Sequence, residues 1–333
     1  MKDILDSNDL ARIPVALQKG RDWLKKVCVV TNSGWGWPEI GGEPDVTVWG
    51  GALDGLLGLL YSGVAVNDKY IVNGLRLIRS TRARNFGWAT EETGWPLIES
   101  AESVNEATAW TIICLKKIFN RNLQEPILIE SSDYLIQASS PTGGWGSLKG
   151  DTPNIYATAV AIWALTGINN DFVQRQLPFL FQAVNSDGGW GFSPKDNQSR
   201  VAITGLVLYA LLQGDFSIPE PIFDNAIQKL KNSCLQDGTW ENELDVGIMK
   251  GTKQYYYTRV RHFSISWVVR AFVKALDHGL YIDLVPSIKR ILDMQDQAGF
   301  WIYSLYDRTP YVWCTQNAIC TLAEVEEYMS KRT

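Results

Sequence analysis

Histidine is nearly missing from this chain: among 333 residues there are two, His262 and His278. That scarcity leaves little room for a histidine-ligated metal or for a catalytic triad built on an imidazole base. Cysteine is sparse and shows no paired pattern. The five, Cys28, Cys114, Cys234, Cys314 and Cys320, are odd in number and none forms a CxxC motif, which argues against a disulfide framework and against a cysteine-rich zinc site. Reduced thiols packed as small hydrophobes are expected instead. Cationic residues are in deficit as well, with 31 Lys and Arg against 36 Asp and Glu and a formal net charge of -5. The chain as a whole has no pull toward nucleic acid, and no nucleic-acid partner is expected.

Long apolar runs are also lacking. None approaches the roughly 20 residues that a membrane-spanning helix needs. The opening MKDILDSNDLARIPVAL carries Asp3, Asp6 and Asp9 and no unbroken apolar core, so it reads as neither a signal peptide nor an anchor. These features predict a cytoplasmic protein without a membrane span. What is present is a 46% share of hydrophobic residues that includes 14 tryptophans, enough for a sizeable core.

The tryptophans are not scattered. Glycine-tryptophan phrases recur as SGWGWP, NFGWAT, TGGWGS, DGGWGF, DGTWEN and AGFWIY, marked by Trp35, Trp88, Trp145, Trp190, Trp240 and Trp301 at spacings of 45 to 61 residues. After each phrase comes a strongly apolar run of helical length, such as ATAVAIWALTG or AITGLVLYALL. Such runs are apolar nearly all round, as helices buried on every side are. Before each phrase lies a segment with apolar residues at helical spacing among charges, such as PIFDNAIQKLKNSCL, the pattern of a helix with one wet face.

Six outer helices, six glycine-tryptophan turns and six inner helices predict an all-α fold of about twelve helices. A closed (α/α)6 barrel, or toroid, occupying residues 1–333 as one domain buries every inner helix. An open solenoid is the alternative, and it would leave both ends of the row exposed. Glycine in each turn permits the backbone that ends an outer helix, and the indole packs across helix ends with its N–H free to bond a carbonyl.

A glycine-tryptophan phrase followed by an apolar helix, in six copies from Gly34 to about Glu324 of which two read Gly-Gly-Trp-Gly, resembles the toroid of class II terpene cyclases and of the β subunits of protein prenyltransferases. The resemblance implies work done in the barrel lumen, at the amino-terminal ends of the inner helices. Class II cyclases carry an Asp-x-Asp-Asp-Thr-Ala motif whose middle acid protonates an isoprenoid alkene. The nearest phrase here is SVNEATAW, which sets Glu106 at the middle acid while Val104 and Ala107 replace its companions. Glu106 is therefore the candidate catalytic acid, with a helix-dipole or capping role as its plain alternative. The zinc site of the prenyltransferases, laid over YYYTRVRHFSISW, falls on Arg261 and Phe263, and its histidine falls near Cys314. None of these supplies the required ligand set, so no metal and no other cofactor is expected.

The segment KGTKQYYYTRVRHFSISW holds Lys250, Lys253, Tyr255, Tyr256, Tyr257, Arg259, Arg261 and His262 where the fifth inner helix is expected to begin. Cations and phenols beside free helix N–H groups would suit a phosphate or diphosphate. Ion pairing with Glu241, Glu243 or Asp245 is the competing account. Aromatic residues recur on the inner helices at Trp49, Trp110, Trp163, Tyr209, Trp267 and Trp313. They suit either a lumen that stabilises a carbocation or the space between the helix layers.

Two functions follow. In the first, favoured by the loss of both motifs, the toroid binds an isoprenoid or diphosphate-bearing small molecule, or a partner protein at its rim, without the chemistry of the families it resembles. In the second it is an isoprenoid cyclase whose acid is Glu106, Asp45 or Asp54. The second demands a dry cavity walled by the aromatic set with one buried acid of raised pKa.

Overall fold

A computed structural model of the chain describes residues 7–82, 103–119, 122–214, 216–250, 255–280 and 282–332. Twelve α-helices run through them and alternate between two layers. The outer layer is α1 (Ser7–Val27), α3 (Lys69–Ser80), α5 (Pro126–Gln137), α7 (Asn170–Gln182), α9 (Glu220–Asn232) and α11 (Val285–Asp293). The inner layer is α2 (Leu53–Tyr61), α4 (Asn105–Ile118), α6 (Ile155–Leu165), α8 (Val201–Leu211), α10 (Ser264–Leu276) and α12 (Val312–Ser330).

Composition decides the layer. Every residue of α6 and all but the first of α8 are buried, because neighbours on both sides and an outer helix behind them leave no wet face. On α9 only Ala226, Ile227 and Leu230 are buried, the narrow stripe of a helix covered on one side. Each inner helix packs on the next, from α2 through α4, α6, α8 and α10 to α12, and α12 returns to α2. In the outer layer α1 meets α11. The row is a closed all-α toroid, and the open solenoid is ruled out by that last contact.

The turns show how each repeat is fastened. The indole N–H of Trp145, Trp190, Trp240 and Trp301 donates to the carbonyl of Leu135, Leu180, Leu230 and Ile291 respectively, at 2.7 to 2.8 Å. Each acceptor lies in the last turn of the preceding outer helix, where the regular helical partner is missing; Leu135, Leu180 and Ile291 also accept a longer bond from the residue that ends the helix, at 3.1 to 3.3 Å. In three of these repeats the tryptophan backbone N–H also donates to a threonine hydroxyl, that of Thr158, Thr204 or Thr315, at 3.0 to 3.1 Å. Each threonine is the fourth residue of the following inner helix. One tryptophan thus ties the end of an outer helix to the start of an inner one. The turn itself needs a backbone that L side chains avoid: Gly188 has φ +88°, and a Cβ there would come within 2.7 Å of Asn225.

The first repeat departs from the expected marker. Trp37, not Trp35, is fully buried and donates to Leu24 at 2.8 Å. Trp35 instead lies on β2 (Trp35–Gly36), paired with β1 (Val29–Val30). The phrase SGWGWP contains two tryptophans, and spacing alone does not say which enters the core. Trp88 lies outside the described residues.

The fifth repeat departs more. Where KGTKQYYYTRVRHFSISW is expected to open an inner helix, the chain forms an antiparallel pair, β3 (Glu243–Lys250) with β4 (Tyr255–His262), registered from Glu243 opposite His262 to Lys250 opposite Tyr255. Helix α10 starts only at Ser264. Consecutive tyrosines followed by Thr-Arg-Val-Arg favour an extended pleat over a helix, so the basic segment stands on the barrel rim as a hairpin.

The staple has a measurable cost of removal. Trp190→Phe keeps an aromatic ring but strips the bond to Leu180, and is expected to lower the unfolding free energy by about 1 to 3 kcal/mol. Urea denaturation measures it, and an unchanged midpoint with unchanged slope would show that the indole contributes by its volume alone.

Candidate functional site

The entry to α2 shapes the site. Residues 48–52 do not continue the helix backward; Trp49 is extended, with φ -92° and ψ 136°, and Gly50 has φ 82°. This kink carries Trp49 to the mouth of the toroid, so it stands on the lead-in to the inner helix and not on the helix itself. It also turns the Gly50 N–H onto the carboxyl of Asp54, the second residue of α2. A side chain at position 50 would strain this turn.

Behind the kink lies a cavity of about 220 Å³. Its walls are Trp49, Trp110, Trp267 and Trp313, with Tyr156 and Phe263 between them. The polar part of its surface comes from Asp54, Asn317, Glu39, Arg261 and His262. Asp54, Tyr156 and Trp313 are each the second residue of their inner helices, and Trp267 is the fourth of its own. The cavity therefore sits at the amino-terminal ends of the inner helices.

The aromatic residues divide by depth. Trp110 on α4 meets Trp267 on α10 with centroids 6.1 Å apart, and those helices stand on opposite sides of the ring. Trp163 closes the set, lying edge-on to Trp110 at 5.3 Å and to Trp267 at 6.3 Å. This contact crosses the lumen and makes the cavity floor. Trp163 joins that floor from its lower side and meets Tyr209 beneath it, 5.0 Å away. All six inner-helix aromatics of the sequence pattern except Trp163 and Tyr209 face the cavity, and those two still lie within the ring.

Two carboxyls are buried beside this space. Asp54 is 7% exposed and Glu106 3% exposed. Burial pushes Asp54 up to about 7; the Gly50 N–H opposes this and the negative charge of Glu39 adds to it. Burial likewise raises Glu106 to about 7, against the hydroxyl of Ser147, which donates to its Oε1 at 2.7 Å. Its other oxygen, Oε2, has no hydrogen-bond partner among the described residues. Glu106 is thus an inner acid as expected, yet Asp54 and not Glu106 contributes to the cavity wall. Asp45 is exposed and drops out as a buried acid.

The rim carries the basic residues differently from the expected arrangement. Glu243 accepts the backbone N–H groups of Val201 and Ala202 at 2.8 and 2.9 Å, capping the start of α8. Arg261 lies over the ring of Tyr311 at 5.3 Å and lowers the pKa of Asp307, though less than that residue's own hydrogen bonds do. It remains exposed at the mouth. His262, 3% exposed, meets the Tyr156 ring edge-on at 5.8 Å. Lys253 lies outside the described residues. Tyr255, Tyr257 and Arg259 lie on β4, with their side chains outside the described part of the structure.

Glu39, Tyr156 and Asn317 were not singled out by sequence, and Phe263 was named only as a residue unable to bind zinc. Tyr156 had a signal, since the second position of an inner helix also holds Asp54 and Trp313. Glu39 had none, because it reaches the cavity from the loop after Trp37. Among the described residues no group of three or more His, Cys, Asp or Glu could hold a metal ion, and no helix is long and apolar enough to cross a membrane.

No protein-family model matches the chain. Protostadienol synthase A of Arthroderma gypseum is 26% identical over 199 residues, covering 53% of this chain and 27% of that protein. The match thus spans about a quarter of that relative's length. Among solved structures, the type II terpene cyclase MstE from Scytonema superposes with a TM-score of 0.67 at 14% identity, covering 96% of this chain and 99% of that one. A variant of it in complex with geranylgeranyl dihydroxybenzoate as substrate gives 0.65 at 12% identity, covering 97% and 100%. An alpha-amylase from Clostridium perfringens gives 0.62 at 13%, covering 94% and 98%. These structures share the all-α toroid fold of this chain, and a shared fold does not by itself fix the chemistry.

The two buried carboxyls predict a pH signature. In strong acid both are protonated whether the chain is folded or not. As the pH climbs from about 4 to about 7 the unfolded chain ionises them first, so their contribution to stability is lost, by roughly 3 kcal/mol for each. The loss is complete once the pH passes the folded value near 7. Asp54→Asn combined with Glu106→Gln is expected to remove this slope, read as the difference in urea midpoint between about pH 4.5 and about pH 7.5. Equal slopes in parent and variant would mean that neither carboxyl is held protonated.

Proposed function

We propose that the toroid binds a small isoprenoid in the cavity at the amino-terminal ends of its inner helices and that Asp54 protonates it, making the chain an acid-initiated isoprenoid cyclase. The observation that carries this reading is a buried carboxyl set into the wall of a cavity walled by four tryptophans. Few binding sites need both. A carboxylic acid donates a proton to an alkene only if it is kept neutral and dry, and the burial of Asp54 pushes it toward the neutral form and limits its access to water. The cation so formed is stabilised by the π faces of Trp49, Trp110 and Trp313.

The balance is that of an isomerisation. The Asp54 O–H bond breaks as a C–H bond forms, a second alkene closes a C–C bond onto the cation, and loss of a proton from carbon restores the double bond. The proton returns to Asp54 or passes to water at the mouth. Arg261 at the rim suits a ligand with an acidic or phosphate-bearing head, its apolar tail lying among the tryptophans. Because the walls come from α2, α4, α6, α10 and α12, we read residues 1–333 as one toroid domain whose site needs the closed ring.

A second reading keeps the ligand and drops the chemistry. It is favoured by Val104 and Ala107, which stand where the cyclase motif has two further acids, and it makes the protein an isoprenoid-binding toroid.

Incubation with linear isoprenoid alcohols, acids and diphosphates, followed by mass spectrometry, separates the two. Cyclic isomers of unchanged mass are expected from the parent. Asp54→Asn should bind equally but turn over at least about 100-fold more slowly, the usual scale for loss of a general acid. Binding without conversion supports the second reading, and no binding of any of these compounds overturns both. Arg261→Ala is expected to weaken diphosphate or carboxylate probes about tenfold while leaving the alcohols unchanged; an equal loss for both would remove Arg261 from head-group recognition.

A further inference from the structure

Below the tryptophan floor the lumen holds a charge. Arg270, on α10, is fully buried. Its guanidinium donates from Nη2 to Glu324 Oε1 at 2.9 Å and to the Tyr209 hydroxyl at 2.6 Å, and from Nε to Glu324 Oε2 at 3.3 Å. Tyr209 in turn donates to Glu324 Oε1 at 2.6 Å. Rings surround the cation: its central carbon lies 4.2 Å from the centroid of Tyr209, 5.1 Å from Trp267, 5.2 Å from Trp163 and 5.9 Å from Tyr61. These residues come from α2, α6, α8, α10 and α12, so the cluster fills the ring from wall to wall.

This is an expensive way to fill space. A buried ion pair is commonly matched or bettered in stability by apolar side chains of similar volume, and a barrel needing only a packed interior would hold leucine or phenylalanine there. What directional bonds add is a wall at a fixed depth. Trp267 is shared between the two compartments: it lines the cavity and its ring meets the guanidinium. An apolar chain that ran past it would have to displace hydrogen-bonded charge in a place closed off from solvent. The cavity left above is about 220 Å³, below the roughly 300 Å³ at which ligand pockets usually begin.

We infer that Arg270, held by Glu324 and Tyr209, is the depth gauge of the lumen and restricts the protein to short isoprenoid chains. The inference rests on the lumen being the binding site. Arg270 is a specificity-determining residue that acts from beneath the floor, with no contact to the ligand required.

The test is binding of geraniol, farnesol and geranylgeraniol, measured by calorimetry on the full chain and two double variants. The parent is expected to bind geraniol at least tenfold more tightly than geranylgeraniol. Arg270→Ala with Glu324→Ala removes both charges together, leaves neither unpaired and opens the lower lumen; it should gain at least tenfold for geranylgeraniol relative to geraniol. Arg270→Met with Glu324→Leu removes the charges and keeps the volume, and should retain the parent's order. A folded double-alanine variant that keeps the parent's order overturns the gauge, as does an equal gain in both variants, which would assign the limit to charge and not to depth. A parent that already binds geranylgeraniol as tightly as geraniol overturns it without any variant. If none of the three alcohols binds the parent, the lumen reading fails and the gauge falls with it.

Discussion

One hydrogen bond, repeated around the ring, holds this architecture: the indole N–H of a turn tryptophan on the last-turn carbonyl of an outer helix. Helix ends leave carbonyls without partners, and burying them unpaired is costly. Here the residue that satisfies the carbonyl also has the largest apolar side chain, so the same group pairs the helix end and fills the gap beside it. In three repeats its backbone N–H also reaches the next inner helix through a threonine. Inner helices with no polar face can then line a ring whose interior is available for other residues.

That interior is divided by depth. Near the amino-terminal ends, helix starts and the kink at Gly50 bring aromatic rings and a buried acid of raised pKa together. Across the middle, Trp110 meets Trp267 and Trp163. Beneath them Arg270 is paired with Glu324 and hydrogen-bonded to Tyr209, while its Nη1 has no hydrogen-bond partner among the described residues. The upper compartment is thus bounded by π faces on its sides and by a fixed cation below the floor. Asp54, Glu39 and Arg261 lie at the mouth, and the Arg270–Glu324 pair lies at the far end.

Much of the fold was legible because its repeat is a physical one. Each glycine-tryptophan phrase marks a helix end, and the apolar run after it can only be an inner helix. Legibility failed where a residue's role depends on its neighbours in space. SGWGWP offers two tryptophans, and Trp37 rather than Trp35 enters the core because of how the chain passes α1. In the fifth repeat three tyrosines and alternating cations looked like the opening of a helix, and strand pairing from Glu243 to His262 claimed them instead. At the site, Trp49, Trp110, Trp267 and Trp313 were legible as inner-helix aromatics, whereas Glu39 and Asn317 carried no pattern.

The sequence by itself determined the repeat, the two classes of helix and the all-α class, since amphipathicity and glycine-bounded turns are local properties of the chain. It also narrowed the acids to a few candidates. Only the tertiary structure decided that the ring closes through α12 onto α2, that Asp54 rather than Glu106 lies in the cavity wall, and that Arg270 stands beneath its floor. These depend on which side chains from distant repeats converge on one axis. Convergence of that kind is a property of ring closure, and no single segment encodes it.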